Sequence, residues 1–236
     1  MSPSVPEAIR VGVVGAQGRM GRFACRLIEE EASRRGLALV ARVGPADDLE
    51  AVLTGQRVDV ALDVTRAGRG FEHGARMLAI GVRPLIGTSG VDAAATRELD
   101  HLAREAQLGG LVVPNFSLGA WLQQKLVLEA ARHFPALEII EEHHAEKRDA
   151  PSGTALDLVE RLGQAGLASD TPIHSLRLPG ILANQSVVFG GEGETLRIRH
   201  EVRGREAFGP GILAGLSYAA RAAGVSRGIQ VAFEAV

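Results

Sequence analysis

The sequence predicts an α/β protein in which a parallel sheet covered by helices is followed by an α+β unit with a second sheet. Strand-like and helical segments alternate up to Pro114, which is typical of a parallel sheet with helices on both faces. Beyond Pro114, two apolar segments are joined by the turn GGEGE, which indicates an antiparallel hairpin. A glycine-rich loop follows the first strand and precedes the first helix. The chain therefore contains two different sheets in succession.

The first half begins with an apolar, β-branched segment, IRVGVV, at residues 9–14. A helix is predicted over residues 19–35, because its apolar positions recur at helical spacing, and Gly36 can end it. Further strands are predicted at residues 37–43, 59–64, 83–88 and 111–115, and further helices at residues 71–80 and 92–107.

The second half has a different pattern. Residues 117–133 are predicted to form one helix, with core positions at Leu118, Trp121, Leu122, Leu126 and Leu128. The other segments are a strand at residues 137–142, a helix from Pro151 to about Leu162, the segment 173–178, hairpin strands at 184–190 and 194–202, a helix at 211–223 and a closing strand at 228–236.

Composition limits the classes of function. The chain has 236 residues, 46% hydrophobic and 23% charged, which is enough for one large domain or two small ones. A formal net charge of −2 does not favour nucleic acid or an anionic membrane as a partner. The single cysteine, Cys25, suits a reducing cytosol, and neither a secretory signal nor a membrane-spanning segment is expected. We therefore expect a cytoplasmic protein.

The segment GAQGRMG places glycines at positions 15, 18 and 21, after a strand and at the start of a helix. Backbone N–H groups and the helix dipole at such a start can bind a pyrophosphate, and glycine permits the tight turn. The spacing differs from the commoner G-x-G-x-x-G motif, so an ordinary strand-to-helix turn is the alternative. We favour nucleotide binding, because strand, loop and helix stand in the required order.

The end of the second predicted strand bears on the type of dinucleotide. Residues 39–45 contain no acidic side chain for an adenosine ribose. Arg42 is the charged group there, and Arg19 lies in the glycine loop; either arginine would suit a 2′-phosphate. A solvated arginine at a strand end is an equally good interpretation of Arg42.

The stretch EEHHAEKRDAPSGTA, residues 141–155, places histidines and charged groups beside a helix start. Lys147 is one of only two lysines in the chain, and its ammonium is a compact donor that a guanidinium does not replace. Pro151 suits the first position of a helix, so the backbone N–H groups of residues 152–154 would be free to bind a carboxylate. Histidine can deliver a proton near neutral pH. Together these groups predict a site for an acidic small molecule.

Other interpretations of this stretch stay open on the residues alone. The paired histidines could hold a metal, but no third ligand stands nearby at a suitable spacing, so no metal site is predicted. Lys147 and Arg148 could be surface charges. The PSGT segment could be only a helix cap.

The same stretch resembles the signature E-x-H-H-x-x-K-x-D-A-P-S-G-T-A of the dihydrodipicolinate reductases, also named 4-hydroxy-tetrahydrodipicolinate reductases, and residues 141–155 match it throughout. GAQGRMG resembles the cofactor loop of that family. Other similar segments follow in the family's order: IGTSG (86–90), VPNFSLG (113–119), residues 177–201 and the FGPGIL run from Phe208. The resemblance covers nearly the whole chain.

The resemblance implies an enzyme of the diaminopimelate and lysine pathway. It would reduce a cyclic dicarboxylate, 4-hydroxy-tetrahydrodipicolinate (dihydrodipicolinate), to tetrahydrodipicolinate with NADH or NADPH, as a homotetramer. Combined with the strand and helix pattern, it implies a Rossmann-type dinucleotide-binding domain over residues 1–115, completed by residues 209–236. Residues 116–208 would form a substrate-binding and oligomerisation domain with a mixed or antiparallel sheet.

The resemblance also implies roles for particular residues. His143 matches the catalytic acid/base and Lys147 the second catalytic donor. The positions that match substrate-binding residues are His144, Gly153 and Thr154. The positions that match cofactor-binding segments are Gly15, Ala16, Gln17, Gly18, Arg19, Met20, Gly87, Thr88, Ser89, Pro114, Asn115, Phe116 and Ser117, to which we add Arg42 at the second strand.

Some positions depart from the family pattern, but none of them is catalytic. Val64 replaces a phenylalanine, Ser89 replaces a threonine, and the acidic residue after the second strand is missing. Two other functions stay open on the residues alone. A Rossmann dehydrogenase acting on an amino-acid semialdehyde would not need the HHxxKxDAPSGT stretch. A non-catalytic nucleotide-binding descendant would not need to retain both His143 and Lys147.

Overall fold

The structure of the protein, a computed structural model, describes residues 8–167 and 170–234. It divides into two compact units. Of the described residues, those up to Phe116 and those from Gly209 onward form the first unit, and those between Ser117 and Phe208 form the second. Each unit has its own sheet and its own apolar core.

Both units combine strands with helices. In chain order, the strands are β1 (Ile9–Val14), β2 (Leu37–Val43), β3 (Val60–Asp63), β4 (Arg83–Ile86), β5 (Gly109–Val112), β6 (Ala136–His143), β7 (Ile173–Arg177), β8 (Ala183–Gly191), β9 (Glu194–Val202) and β10 (Gly224–Arg227). The helices are α1 (Arg19–Arg35), α2 (Leu49–Gly55), α3 (Gly70–Ala79), α4 (Ala93–Glu105), α5 (Leu118–Ala130), α6 (Gly153–Gln164), α7 (Gly209–Ala219) and α8 (Gln230–Glu234). A 3-10 helix, Arg205–Phe208, precedes α7.

The first unit is built on a six-stranded parallel sheet with the strand order β10-β5-β4-β3-β1-β2. Its central strands are apolar, and Val11, Val13 and Leu62 are completely buried. The chain runs from β1 to β2 at one edge and then returns past β1 to β3, so the strand order reverses beside β1. In open α/β sheets, ligands bind at the carboxyl ends of the strands beside such a reversal.

The second unit contains a four-stranded mixed sheet with the order β7-β6-β8-β9. Strands β6 and β7 are parallel, and the other neighbours are antiparallel. Leu158 of α6 packs with Ile139 and Phe189 of the sheet in one buried cluster. Because side chains alternate along a strand, Glu141 and His143 share the face of β6 that Ile139 buries. The predicted α/β class, with a parallel sheet followed by a unit with a mixed sheet, is confirmed.

The closing strand predicted over residues 228–236 is wrong. The last strand is Gly224–Arg227, and Gln230–Glu234 form a helix; residues 235–236 lie outside the described residues. Gly228, with φ of 99°, turns the chain directly after β10. A short apolar segment fits strand and helix periodicity equally well, so the sequence pattern alone did not separate them.

The core positions predicted on α5 are also largely wrong. Leu118, Leu122 and Leu126 are 42%, 47% and 49% exposed in this chain. The face that α5 buries instead carries Gln123 and Val127. The three leucines recur every four residues and so form one stripe, but apolar spacing does not tell which stripe of an apolar helix meets the sheet.

Candidate functional site

The loop between β1 and α1 begins with Gly15, whose φ of +85° lies in the left-handed region that glycine adopts without strain. Gly18 is the N-cap of α1, and no side chain in the described part of the chain caps this helix start. A Cβ at Gly21 would lie 2.7 Å from the Cα of Ala16 and closer still to the carbonyl oxygen of Gly15. Glycine at these positions lets α1 begin directly against β1, with backbone N–H groups facing outward.

A cavity of about 710 Å³ opens beside this loop. It is lined by Gly15 and Gly18 of the loop, Val43 at the end of β2, Thr65 after β3 and His73 on α3. It therefore lies at the carboxyl ends of the strands, where the strand order reverses. Its volume is within the range of small-molecule and cofactor sites.

A buried carboxylate, Asp63 at the end of β3, organises polar side chains at this cavity. Its Oδ1 accepts hydrogen bonds from the hydroxyls of Thr65 at 2.6 Å and Thr88 at 2.8 Å. Its Oδ2 lies 2.9 Å from Nδ1 of His73. Burial opposes ionisation of Asp63, but these hydrogen bonds outweigh burial and hold the pKa of the carboxyl below its ordinary value. A charged group thus fixes Thr88, one of the predicted cofactor residues.

Apart from Arg42, which lies on β2, the other cofactor residues predicted in the first unit lie at one end of its sheet. They follow the carboxyl ends of β1, β4 and β5. Gly87 approaches Phe116 so closely that a Cβ there would overlap the ring. Phe116 and Ala16 are buried, Met20 and Asn115 are half-buried, and Gln17, Arg19, Ser89 and Pro114 are exposed.

Ser117 belongs to the second unit, unlike the other predicted cofactor residues. Its hydroxyl accepts a hydrogen bond from the backbone N–H of Ala120 at 3.2 Å and so caps α5. The same oxygen lies 3.1 Å from Nε2 of His200. Burial lowers the pKa of His200.

Arg42 on β2 lines a second cavity, of about 500 Å³, together with Arg22 and Arg26 of α1. Nη2 of Arg42 lies 2.5 Å from Oε1 of Glu29, and both side chains are about half exposed. A phosphate at this cavity would meet three guanidinium groups but would compete with Glu29 for one of them.

The charged groups of the stretch 141–155 form a cluster in the second unit. Nδ1 of His143 lies 2.5 Å from Oε2 of Glu141, whose side chain is fully buried. The imidazole itself keeps 15% of its surface exposed. Burial lowers the pKa of His143; the charge of Glu141 opposes this shift, and the charges of Lys147 and Arg177 add to it. His143 is thus a partly accessible imidazole with one nitrogen fixed by a carboxylate.

Arg177 on β7 holds Glu141 from the other side. Its Nη1 and Nη2 donate to Oε2 and Oε1 of Glu141 at 3.0 and 2.8 Å. Nη2 also donates to the backbone carbonyl of Asp149 at 2.6 Å. Burial opposes ionisation of Glu141, but hydrogen bonds from Arg177, Ser175 and His143 outweigh burial and hold the pKa of the carboxyl below its ordinary value. A charged carboxylate therefore stands beside His143.

The loop after β6 brings Lys147 to the same cluster. Nζ of Lys147 donates to Oδ2 of Asp149 at 2.6 Å, and this hydrogen bond lowers the pKa of Asp149. The lysine side chain is 20% exposed. The backbone N–H of Lys147 donates to the carbonyl of His144 at 3.1 Å, so the loop is a tight turn. The two predicted catalytic residues are thus brought together, with half-buried His144 next to them.

Helix α6 begins at Gly153, with Ser152 as its N-cap. Pro151 is therefore not the first helical residue, contrary to the prediction. Ser152 Oγ accepts a hydrogen bond from the backbone N–H of Ala155 at 3.2 Å. A Cβ at Gly153 would meet no atom within 4 Å, so the first turn faces open space. Gly153 and Thr154, the predicted substrate-binding positions, stand where backbone N–H groups bind anions.

Three residues of these sites were missed by the sequence analysis: Asp63, His73 and Arg177. Glu141 was only part of a pattern, although its position two residues before His143 on a strand was sufficient to place both on one face. Arg177 reaches the cluster only because β7 pairs with β6, placing Arg177 opposite His143. That register has no local signal in the sequence.

The described residues, 8–167 and 170–234, form neither a three-residue metal-binding group nor a membrane-spanning helix. No group of three His, Cys, Asp or Glu side chains among them could hold a metal ion. None of their helices is long and apolar enough to cross a membrane.

Two family models match the chain one after the other. The model described as dihydrodipicolinate reductase, N-terminus, matches residues 9–116, and the model described as dihydrodipicolinate reductase, C-terminus, matches residues 119–231. The chain belongs to the dihydrodipicolinate reductase family. The family predicted from the stretch 141–155 is therefore confirmed.

Proteins that are similar to this chain in sequence or structure support its membership in the dihydrodipicolinate reductase family. The 4-hydroxy-tetrahydrodipicolinate reductase of Legionella pneumophila (strain Lens) is 40% identical over 223 residues, which are 86% of this chain and 90% of the relative. That of Coxiella burnetii (strain RSA 493 / Nine Mile phase I) is 39% identical over 220 residues, 87% of this chain and 91% of the relative. The structure of dipicolinate-bound dihydrodipicolinate reductase from Paenisporosarcina sp. TG-14 has a TM-score of 0.78 and 30% identity, covering 95% of this chain and 99% of that one.

Proposed function

We propose that this chain transfers a hydride from NADH or NADPH to 4-hydroxy-tetrahydrodipicolinate, giving tetrahydrodipicolinate and water in the diaminopimelate and lysine pathway. The observation that carries the proposal is the cluster of the second unit. There His143 is held by a buried carboxylate, and Lys147 stands in the loop that leads to the start of α6. The names of the Legionella and Coxiella relatives support the same activity.

The first unit fits a dinucleotide. Gly15, Gly18 and Gly21 carry no side chain, so a pyrophosphate could approach the backbone N–H groups and partial positive charge of the helix start at these positions. The residues that would hold the cofactor are those of the glycine loop, the segment 87–89 and the segment 114–117. Bound NADH or NADPH would supply the hydride.

The second unit would provide the groups that act on the substrate. Loss of the 4-hydroxyl with a neighbouring ring proton, as water, gives dihydrodipicolinate, in which a C=C bond is conjugated to the imine. Reduction of that C=C bond requires a hydride at one carbon and a proton at its neighbour. Protonated His143 would supply that proton, while the compact ammonium of Lys147 would polarise or protonate the substrate as the hydride arrives. The backbone N–H groups of Gly153 and Thr154 would bind one carboxylate, with His144 beside them.

We expect both cofactors to serve. No carboxylate among residues 39–45 repels a 2′-phosphate, and Arg42 lines the cavity of about 500 Å³ together with Arg22 and Arg26, where a 2′-phosphate would bind. Glu29 already pairs with Arg42, so a 2′-phosphate gains less there than it would from an unpaired guanidinium. NADPH is therefore favoured only modestly over NADH.

The proposal extends to assembly and location. We propose a cytoplasmic homotetramer built through the second unit. In support, Leu176, Leu178 and Leu196 on or next to its sheet are 40%, 48% and 38% exposed, and exposed apolar groups on a sheet are typical of interfaces between subunits. Sedimentation that shows a stable monomer at micromolar protein would contradict this part of the proposal.

Turnover of substrate tests the proposed function. The substrate is made in situ from pyruvate and aspartate semialdehyde by a condensing enzyme, and oxidation of NADPH or NADH is followed by absorbance. We expect oxidation that requires both precursors. Oxidation with aspartate semialdehyde alone would instead favour a semialdehyde dehydrogenase. Cofactor binding by calorimetry without any turnover would favour a non-catalytic descendant.

A further inference from the structure

The guanidinium of Arg177 joins two parts of the candidate site. It contacts both carboxylate oxygens of Glu141, on β6, and the backbone carbonyl of Asp149, in the loop that carries Lys147. Glu141 in turn contacts Nδ1 of His143. The side chain of Arg177 thus connects His143, through Glu141, with the loop that carries Lys147.

We propose that Glu141 and Arg177 are positioning residues, which hold the His143 imidazole in the orientation and tautomer needed for proton transfer and hold the Lys147 loop beside it. The inference rests on the proposed role of His143. Because Nδ1 faces Glu141, the proton on Nδ1 is fixed and Nε2 is the nitrogen left for the substrate. Arg177 keeps Glu141 in place by two parallel hydrogen bonds, a geometry that lysine cannot reproduce.

The burial of this ion pair supports a role in function rather than in stability. Glu141 has no exposed surface, and Arg177 is 19% exposed. Moving two charges out of water offsets most of their mutual attraction, so a buried pair is weak evidence of stabilisation. Here the carboxylate of Glu141 also contacts the partly exposed imidazole of His143. It therefore stabilises the protonated form of His143 without touching the substrate.

The charges around His143 give this role a measurable signature. The groups that face it are the anion Glu141, in contact with the ring, and the cations Lys147 and Arg177, with Asp149 paired to the lysine. Removing the charge of Glu141 leaves the two cations to dominate. The proton on His143 then becomes easier to lose, and activity that needs protonated His143 must decline at lower pH than before.

The experiment is steady-state kinetics of the full chain over a pH series, with Glu141→Gln and Arg177→Lys as test variants. Glu138→Gln is the matched control, because Glu138 lies on the same strand and pairs with His174 at 2.8 Å but is 59% exposed. We expect Glu141→Gln to lower kcat by about 10- to 100-fold, the range for outer partners that orient functional histidines in metal sites. The high-pH limb of kcat should move down by about one pH unit, as loss of one charge-assisted hydrogen bond requires.

Arg177→Lys keeps the positive charge but cannot span Glu141 and the Asp149 carbonyl together. It should lower kcat as well, with a smaller movement of the pH limb. In both variants, cofactor affinity measured by calorimetry should stay within about threefold of wild type. Thermal unfolding of both variants beside Glu138→Gln shows whether the second unit is folded.

The outcomes separate this inference from the proposed function. If His143→Ala is nearly inactive while Glu141→Gln and Arg177→Lys match Glu138→Gln in kcat and in pH profile, the positioning role is refuted and the function stands. If His143→Ala keeps normal kcat, the catalytic assignment itself is refuted, and the inference falls with it.

Discussion

Replacement of Gly21 by alanine tests whether the loop before α1 binds the cofactor. The added Cβ would lie 2.7 Å from the Cα of Ala16 and nearer still to the carbonyl oxygen of Gly15, whereas real Cβ atoms essentially never approach closer than 3.0 Å. These neighbours are backbone atoms, so the loop and the first turn of α1 must separate by several tenths of an ångström to about 1 Å. A displacement of about 1 Å in a binding element weakens binding by about 100-fold in Kd, or about 2.7 kcal/mol.

We therefore expect Gly21→Ala to raise the Kd for NADH and NADPH by about 100-fold. Isothermal titration calorimetry measures it. Gly55→Ala is the matched control, because a Cβ at Gly55 would meet no atom within 4 Å. Thermal unfolding of both variants shows whether the fold is retained, since overpacking costs about 1–3 kcal/mol. A folded Gly21→Ala variant that binds both cofactors as tightly as Gly55→Ala would refute the assignment of this loop.

Three further predictions concern charges. Arg42→Ala should lower the NADPH/NADH ratio of kcat/KM; if this variant and Arg19→Ala both leave the ratio unchanged, neither arginine reads the 2′-phosphate. Lys147→Arg should not restore full kcat, because a planar fork does not replace a compact donor in a small pocket; wild-type turnover of this variant would exclude a specific need for an ammonium. Asp63→Asn should lower the free energy of unfolding at pH 7 by about 1.5–3 kcal/mol. Because the pKa of Asp63 is lowered in the folded protein, its carboxylate stabilises the fold above the unfolded pKa of about 3.9, and this stabilisation is lost as pH falls through the folded pKa. The free energies of unfolding of wild type and Asp63→Asn, measured by denaturant titration, should therefore converge in acid. If the carboxylate is not stabilising, the difference between the two free energies will not change with pH.

The part of the fold that the sequence predicted best is the part with local signals. Alternation of strands and helices placed five of the six strands of the parallel sheet, and the glycine loop placed the start of α1. The closing strand was wrong because a short apolar segment carries no distinct period. The prediction that Leu122 and its neighbours on α5 lie in the core was wrong, because the sequence of an apolar helix does not show which face packs against the sheet.

The residues of the candidate site likewise divide into those with a local signal in the sequence and those without one. His143, Lys147 and the helix start at Gly153 lie within one stretch of sequence, so their proximity was predictable. Arg177 and the partners of Asp63 come from other strands and helices, and they meet only through strand register and helix packing. Such long-range partners fix the orientation and protonation of the groups that a motif identifies, and they are visible only in the folded chain.

The central claim is that His143 and Lys147 carry the chemistry. Steady-state kinetics of His143→Ala and Lys147→Ala with 4-hydroxy-tetrahydrodipicolinate, at saturating cofactor, tests it most directly. We predict that each variant lowers kcat by about 10²- to 10⁴-fold, the range for a positioned acid–base group, while the calorimetric Kd for the cofactor hardly changes. Near-normal kcat in both variants would contradict the claim and place the catalytic centre elsewhere.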